Sequence, residues 1–168
     1  MDFINCLKRE VRCINTSSIL LYVAFALLAG ALSPVLFGNM GYFYCLILPP
    51  FSLNAVGFII FWIIMLALLG ISAGIFLDGC RCTGVRRKSI GLLLYIANLT
   101  AIFLWYPVFF CMRSMLLSLI LAMIVLLFSF IMARYCVRIS LLATVLMIIH
   151  TLWCLYCVIL NFCILIIN

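Results

Sequence analysis

LPPFSLNAVGFIIFWIIMLALLGIS, residues 48–72, opens on a proline pair and then runs into unbroken apolar sequence. From Ala55 to Leu77 no residue carries a charge. A helix rises ~1.5 Å per residue, so crossing ~30 Å of hydrocarbon takes about 20 residues. The stretch is therefore read as the head of a membrane-spanning helix. Its apolar character runs nearly all the way round, as expected for a helix solvated by lipid.

The same reading extends to the rest of the chain. Five apolar segments stand out, at about Ser18–Phe37, Ala55–Leu77, Ile90–Phe110, Met115–Ala133 and Leu141–Ile166. The chain is 71% hydrophobic and 8% charged, with a mean hydropathy of +1.50. Soluble domains run at about 45–50% apolar and about 25% charged, so ten basic and three acidic residues here cannot build a water-facing surface. The fold expected is all-α, a polytopic five-transmembrane-helix bundle forming one domain over residues 1–168, with the lipid bilayer as its solvent. Runs this long and continuous lack the dyad alternation of barrel strands. The segment Met1–Thr16 has basic residues ahead of a hydrophobic run, as in a secretory signal. That run is long enough to span and no A-x-A cleavage site follows it, so it is read as a retained first helix.

A formal charge of +7 would elsewhere point to nucleic acid. Here the basic residues form short clusters between apolar runs, which is the pattern of topology signals, and no nucleic-acid partner is expected. Lys8, Arg9 and Arg12 precede span one; Arg81, Arg86, Arg87 and Lys88 separate spans two and three; Arg134 and Arg138 separate spans four and five. Five spans put all of these on one side and leave Arg113 alone on the other. The positive-inside rule then predicts a cytoplasmic N-terminus and an external C-terminus. The uncharged connection Gly38–Leu53 lies outside and, rich in aromatics, is expected to pack at the interface.

The inventory of reactive groups is short. Asp2, Glu10 and Asp78 are the only carboxylates, and all lie outside the spans. Paired-carboxylate catalysis, a carboxylate proton relay and a carboxylate-bound metal in the membrane are thereby excluded, and no enzyme activity is expected. Ten cysteines include Cys80-x-Cys82 and Cys154-x-x-Cys157. Lipid-buried cysteine behaves as a small hydrophobe, and His150 does not stand at a zinc-finger spacing from either pair, so packing is the reading and no metal or cofactor is expected. Gly70-x-x-x-Gly74 lets a helix approach closely, either within the chain or from a second copy in a homodimer.

Two features point to a ligand. Asn98 and Asn161 place amides inside spans three and five, where each must bond a neighbouring helix or a ligand. Trp153, Cys157, Leu160, Asn161 and Ile164 follow spacings of three and four and share one face, a wall suited to a flat apolar molecule or to another helix.

Taken together, these stretches resemble the TspO/MBR family, the translocator proteins and tryptophan-rich sensory proteins. The resemblance covers about residues 38–163. In residues 48–72, Pro49, Pro50, Phe51, Ser52, Phe58, Trp62 and Gly70 fall in register with the family pattern. In LYIANLTAIFLWYPVFFCMR, residues 94–113, Tyr95, Leu99, Trp105, Pro107, Phe109, Phe110 and Arg113 do so. In SLLATVLMIIHTLWCLYCVILNF, residues 140–162, the matches are Ser140, Leu142, Ala143, Leu146, Trp153, Leu160 and Asn161, with Tyr156 and Phe162 as aromatic replacements. All three tryptophans land on family tryptophan positions. The chain departs from the pattern at Leu53, Asn54 and Val56, where the family has two prolines and a tryptophan, and at Ile102, Phe103, Leu117, Leu141 and Ile149. It also lacks the basic residue of the sterol-recognition motif after Arg138.

The resemblance implies a five-helix receptor or carrier for a hydrophobic, flat ligand, a porphyrin-like tetrapyrrole such as protoporphyrin or a haem precursor, and in eukaryotic members a sterol-like lipid. It implies a cell membrane or, in a eukaryote, the mitochondrial outer membrane. The residues expected to bind ligand are Trp62, Trp105, Trp153, Asn98, Tyr156, Cys157, Leu160 and Asn161, with the Gly38–Leu53 connection as a lid. Phe109, Phe110 and Arg113 are expected to anchor the outer interface. The alternative is a membrane scaffold or regulatory subunit acting through helix contacts such as Gly70 and Gly74.

Overall fold

The computed structural model describes residues 15–38, 40–78 and 85–168. Among these, five helices are long and apolar enough to cross a membrane. They are α1 (Thr16–Phe37), α2 (Ala55–Asp78), α3 (Val85–Tyr106), α4 (Met115–Cys136) and α5 (Leu141–Ile167). Each lies within a few residues of its expected span. The cysteine pair Cys80-x-Cys82, the basic residues before span one and Arg81 lie outside the described residues.

Local chemistry sets the boundaries. The Asn15 side chain caps α1 by accepting from Ser17 N–H (3.2 Å). Ser114 and Ser140 do the same for α4 and α5, from Leu117 N–H (3.4 Å) and Ala143 N–H (3.2 Å). Asn54, which stands where the family pattern has a proline, caps α2 through Gly57 N–H (2.7 Å). Either residue can start a helix: proline has no N–H to leave unpaired, and asparagine supplies an acceptor for one.

The helices close in the order α1, α2, α5, α4, α3, with α3 returning to α1. Small residues let α1 and α2 touch. A Cβ at Gly70 would stand 2.6 Å from Val23 Cα, and one at Gly74 would stand 2.8 Å from Ile19 Cα. The glycine edge is thus used by α1 of the same chain. Hydrogen bonds also tie the helices together. Ser72 Oγ donates to Ala143 O (2.9 Å) and ties α2 to the start of α5. Tyr95 Oη donates to Tyr22 O (2.5 Å) and ties α3 to α1.

The main departure from regular helix comes at Pro107. Proline has no N–H to offer the carbonyl four residues back, which is that of Phe103. Ser33 of α1 takes that carbonyl instead, at 2.6 Å. Beyond Pro107 the helix widens into a π turn, Pro107–Cys111, closed by Met112 N–H on Pro107 O at 3.0 Å. Arg113 then adopts a positive φ of 52°, ending the segment.

The widened turn changes which side chains face inward. Phe109 and Phe110, expected at the outer interface, are 3% and 8% exposed and pack inside the bundle. Both rings lie within the π turn, which does not keep the 3.6-residue repeat of the preceding helix, and it turns them into the bundle. Arg113 alone stays outward, its guanidinium 5.3 Å from the centroid of the Tyr42 ring.

Candidate functional site

Beneath the connection between α1 and α2 the bundle encloses a cavity of about 590 Å³. That lies within the ~300–1,000 Å³ of small-molecule sites. Its outer rim includes Phe43, Leu48, Ser52 and Leu53; its deep end includes Leu66, Val125 and His150.

Aromatic rings cluster along one part of the wall. Trp105 stacks on Phe109 at 4.9 Å and 13°, and Tyr106 stacks on Phe110 at 5.4 Å and 22°. Both pairs stand four residues apart across the π turn. Phe58 stacks on Trp62 at 6.0 Å, and Phe61 stacks on Trp153 at 5.5 Å and 11°. Such contacts contribute ~0.5–1.5 kcal/mol each beyond area burial and hold the rings in fixed orientations.

Of the residues expected to bind ligand, Trp62, Trp105, Trp153, Cys157, Leu160 and Asn161 are brought together on this wall. Ile164 of the same α5 face joins them. Asn98 and Tyr156 are not cavity-lining. Asn98 is fully buried between α3 and α4, its Nδ2 donating to Ser129 Oγ (3.0 Å), while its Oδ1 has no partner among the described residues. Tyr156 turns toward the lid: its hydroxyl accepts from Leu53 N–H (3.3 Å) and donates to Phe51 O (3.4 Å). Phe58, Tyr106, Phe109, Phe110, His150 and Cys154 also line the cavity. The spacing of Phe58 four residues before Trp62, and of His150 four residues before Cys154, was the signal available for them in the sequence.

The polar atoms divide into satisfied and unsatisfied sets. Asn161 Oδ1 accepts from Trp105 Nε1 (3.3 Å) and from Ser118 Oγ (3.4 Å), and its Nδ2 donates to Cys157 O (2.8 Å). It is a structural clasp among α3, α4 and α5. Asn161→Leu keeps the volume and leaves the partly buried Trp105 N–H unpaired, at about 1–3 kcal/mol, while Ser118 Oγ keeps its bond to Met115 O (2.8 Å). A lowered unfolding midpoint in detergent checks this. Trp62 Nε1 and Trp153 Nε1 are buried with no acceptor among the described residues.

The lid covers the rim. A single helical turn, Met40–Tyr44, lays Tyr42 against Phe109 and Phe110 at 5.9 and 6.4 Å. Farther on, the Asn168 side chain grips both backbone groups of Ile47, accepting from N–H at 2.9 Å and donating to O at 3.0 Å. Tyr156 grips Leu53 and Phe51. Tyr156→Phe removes both bonds, and the one from Leu53 N–H is worth ~0.5–1.5 kcal/mol net. Amide exchange at Leu53 should accelerate by about threefold to tenfold, with Ile47 unchanged, as read by hydrogen–deuterium exchange.

The comparisons agree with this architecture. No curated protein matches the chain significantly. The model of the TspO/MBR family matches residues 15–167, wider at both ends than the resemblance read over residues 38–163. Five apolar helices and a match over nearly the whole length make this a multi-pass membrane protein, and the chain belongs to the TspO/MBR family.

Proposed function

We propose that the protein is a non-catalytic receptor or carrier that binds a flat, hydrophobic, acceptor-bearing molecule, a porphyrin-like tetrapyrrole, in the cavity beneath the lid. The observation that carries this reading is the cavity wall. All three tryptophans meet there, and two of them hold buried indole N–H groups without an acceptor among the described residues. Leaving such donors empty costs about 1–3 kcal/mol each. A ligand that stacks on the rings and presents carbonyl, carboxylate or ring-nitrogen acceptors meets both needs.

A sterol fits less well. It offers a single hydroxyl, no flat π face, and no basic partner for it follows Arg138 in α5. The scaffold role draws no support from Gly70 and Gly74, whose edge α1 already occupies. In the bilayer, the basic loop residues would set the N-terminus in the cytoplasm, so the lid and the cavity mouth would face outward.

Titrating the purified protein with protoporphyrin IX while following tryptophan fluorescence tests the proposal. Saturable quenching, weakened in folded Trp62→Phe, Trp105→Phe or Trp153→Phe variants after allowance for the lost fluorophore, is the expected result. Linear quenching, the same in every variant, would mean partitioning into detergent and would overturn it.

A further inference from the structure

The cavity wall is not equally sealed on all sides. Among the described residues, those that α3, α4, α5 and the lid contribute to it are buried or half-buried throughout. Every exposed lining residue belongs to α1, to Gly38 at its end, or to α2. Ala31 and Val35 stand one turn apart on α1, and Ile59 and Ile63 stand one turn apart on α2. Val35 is 80% exposed, Ile63 50% and Ile59 42%. A side chain that borders the cavity and also meets the surrounding lipid stands at an opening. This opening is lateral, in the seam between α1 and α2 on the lid side of the bundle.

The packing explains why the seam parts there. Deeper down, Gly70 and Gly74 hold α2 against the backbone of Val23 and Ile19, and Gly30 packs directly on Leu66. Beyond Gly30 the end of α1 is fastened elsewhere. Ser33 Oγ donates to Phe103 O (2.6 Å), the Phe37 ring stands edge-on to the Phe103 ring at 5.9 Å, and Cys111 Sγ reaches Phe37 O at 3.8 Å. All three partners belong to α3 or its π turn, and none to α2.

The mouth beneath the lid is closed by firmer means. A molecule arriving from water must break the Asn168 bonds to Ile47 and the Tyr156 bonds to Leu53 and Phe51. A flat hydrophobic molecule is concentrated in the bilayer rather than in water. At the seam it meets only alanine, valine and isoleucine, so it passes without breaking a hydrogen bond or stripping water from a polar group.

We propose that the cavity loads from the bilayer, through the seam between α1 and α2, with Ala31, Val35, Ile59 and Ile63 as its rim and the lid shut. This rests on the cavity-binding reading above and adds to it the source and the route of the ligand.

The test uses the whole chain in lipid nanodiscs, with protoporphyrin IX either free or covalently joined to a phospholipid acyl chain. The joined form cannot leave the bilayer, and it should quench tryptophan fluorescence saturably as its mole fraction in the lipid rises. Val35→Phe and Ala31→Phe narrow the rim without adding an indole, and the second serves if the first fails to fold. Each should slow arrival and release of free protoporphyrin IX together, by at least about fivefold in stopped-flow quenching, because a narrowed passage raises the barrier in both directions. Leu28→Phe, exposed on the same helix but outside the cavity wall, should leave both rates within about twofold of the wild type. Tyr156→Phe, which loosens the lid, should do the same. Unchanged rates in the folded narrowed variants would overturn the proposal, and faster exchange in Tyr156→Phe alongside them would route the ligand under the lid. If free protoporphyrin IX saturates and the joined form does not, the lateral route fails and the cavity reading stands. If neither form saturates, the cavity reading itself fails and takes this one with it.

Discussion

Replacing Gly70 with leucine should separate α1 from the bundle. Even one added methyl, as in Gly70→Ala, would place a Cβ 2.6 Å from Val23 Cα, 2.8 Å from Val23 N and 2.9 Å from Tyr22 O. All three are backbone atoms, so no rotamer change relieves them and the helices must move apart. Overpacking of this kind costs about 1–3 kcal/mol for small additions, and leucine should exceed that range. The neighbouring bond from Tyr95 to Tyr22 O, which holds α3 to the same turn of α1, would be strained with it. An unfolding titration from mild detergent into SDS should show a clearly lowered midpoint. Gly30→Ala is the internal control. Its Cβ meets the Leu66 side chain rather than backbone, and a side chain can shift, so the loss should be smaller. A Gly70→Leu protein of unchanged stability that loses a dimeric state would instead assign the glycine edge to a second copy.

The bundle was legible because a bilayer imposes simple demands. A helix must be about 20 residues long and nearly free of charge, and each expected span was met by a helix differing by only a few residues at its ends. The site was legible where register alone decides it. Trp153, Cys157, Leu160, Asn161 and Ile164 share a face of α5 by spacing, and all five line the cavity. Register failed at Pro107, where the missing N–H and the resulting π turn swing Phe109 and Phe110 inward. Partners across helices were beyond reach as well. That Asn98 would bond Ser129, or Asn161 would bond Trp105 and Ser118, depends on which helices become neighbours. Tyr156 was expected in the wall as an aromatic replacement in the family pattern, yet its hydroxyl reaches the lid backbone. His150 lay in plain view, but only the fold supplies the Met65 carbonyl that orients it.

The second large effect is expected at Trp153. This indole is 9% exposed and sits where the aromatic walls meet, 5.5 Å from Phe58, 5.5 Å from Phe61 and 5.1 Å from Tyr156. Trp153→Ala removes a stacking face and one of the two unpartnered N–H donors together. It also lets the neighbouring rings relax into the space. The face contributes ~0.5–1.5 kcal/mol beyond area, and a lost hydrogen bond to ligand adds ~0.5–1.5 kcal/mol. The sum corresponds to a loss of roughly tenfold to a hundredfold in affinity for protoporphyrin IX. Trp153→Phe separates the two contributions, because it keeps a ring and deletes the donor. If stacking dominates, the phenylalanine variant should stay within about threefold of the wild type. If the N–H bond dominates, both variants should weaken alike. An alanine variant that remains folded and binds as the wild type does would remove Trp153 from the site, and with it the argument that the empty indole donors select an acceptor-bearing ligand.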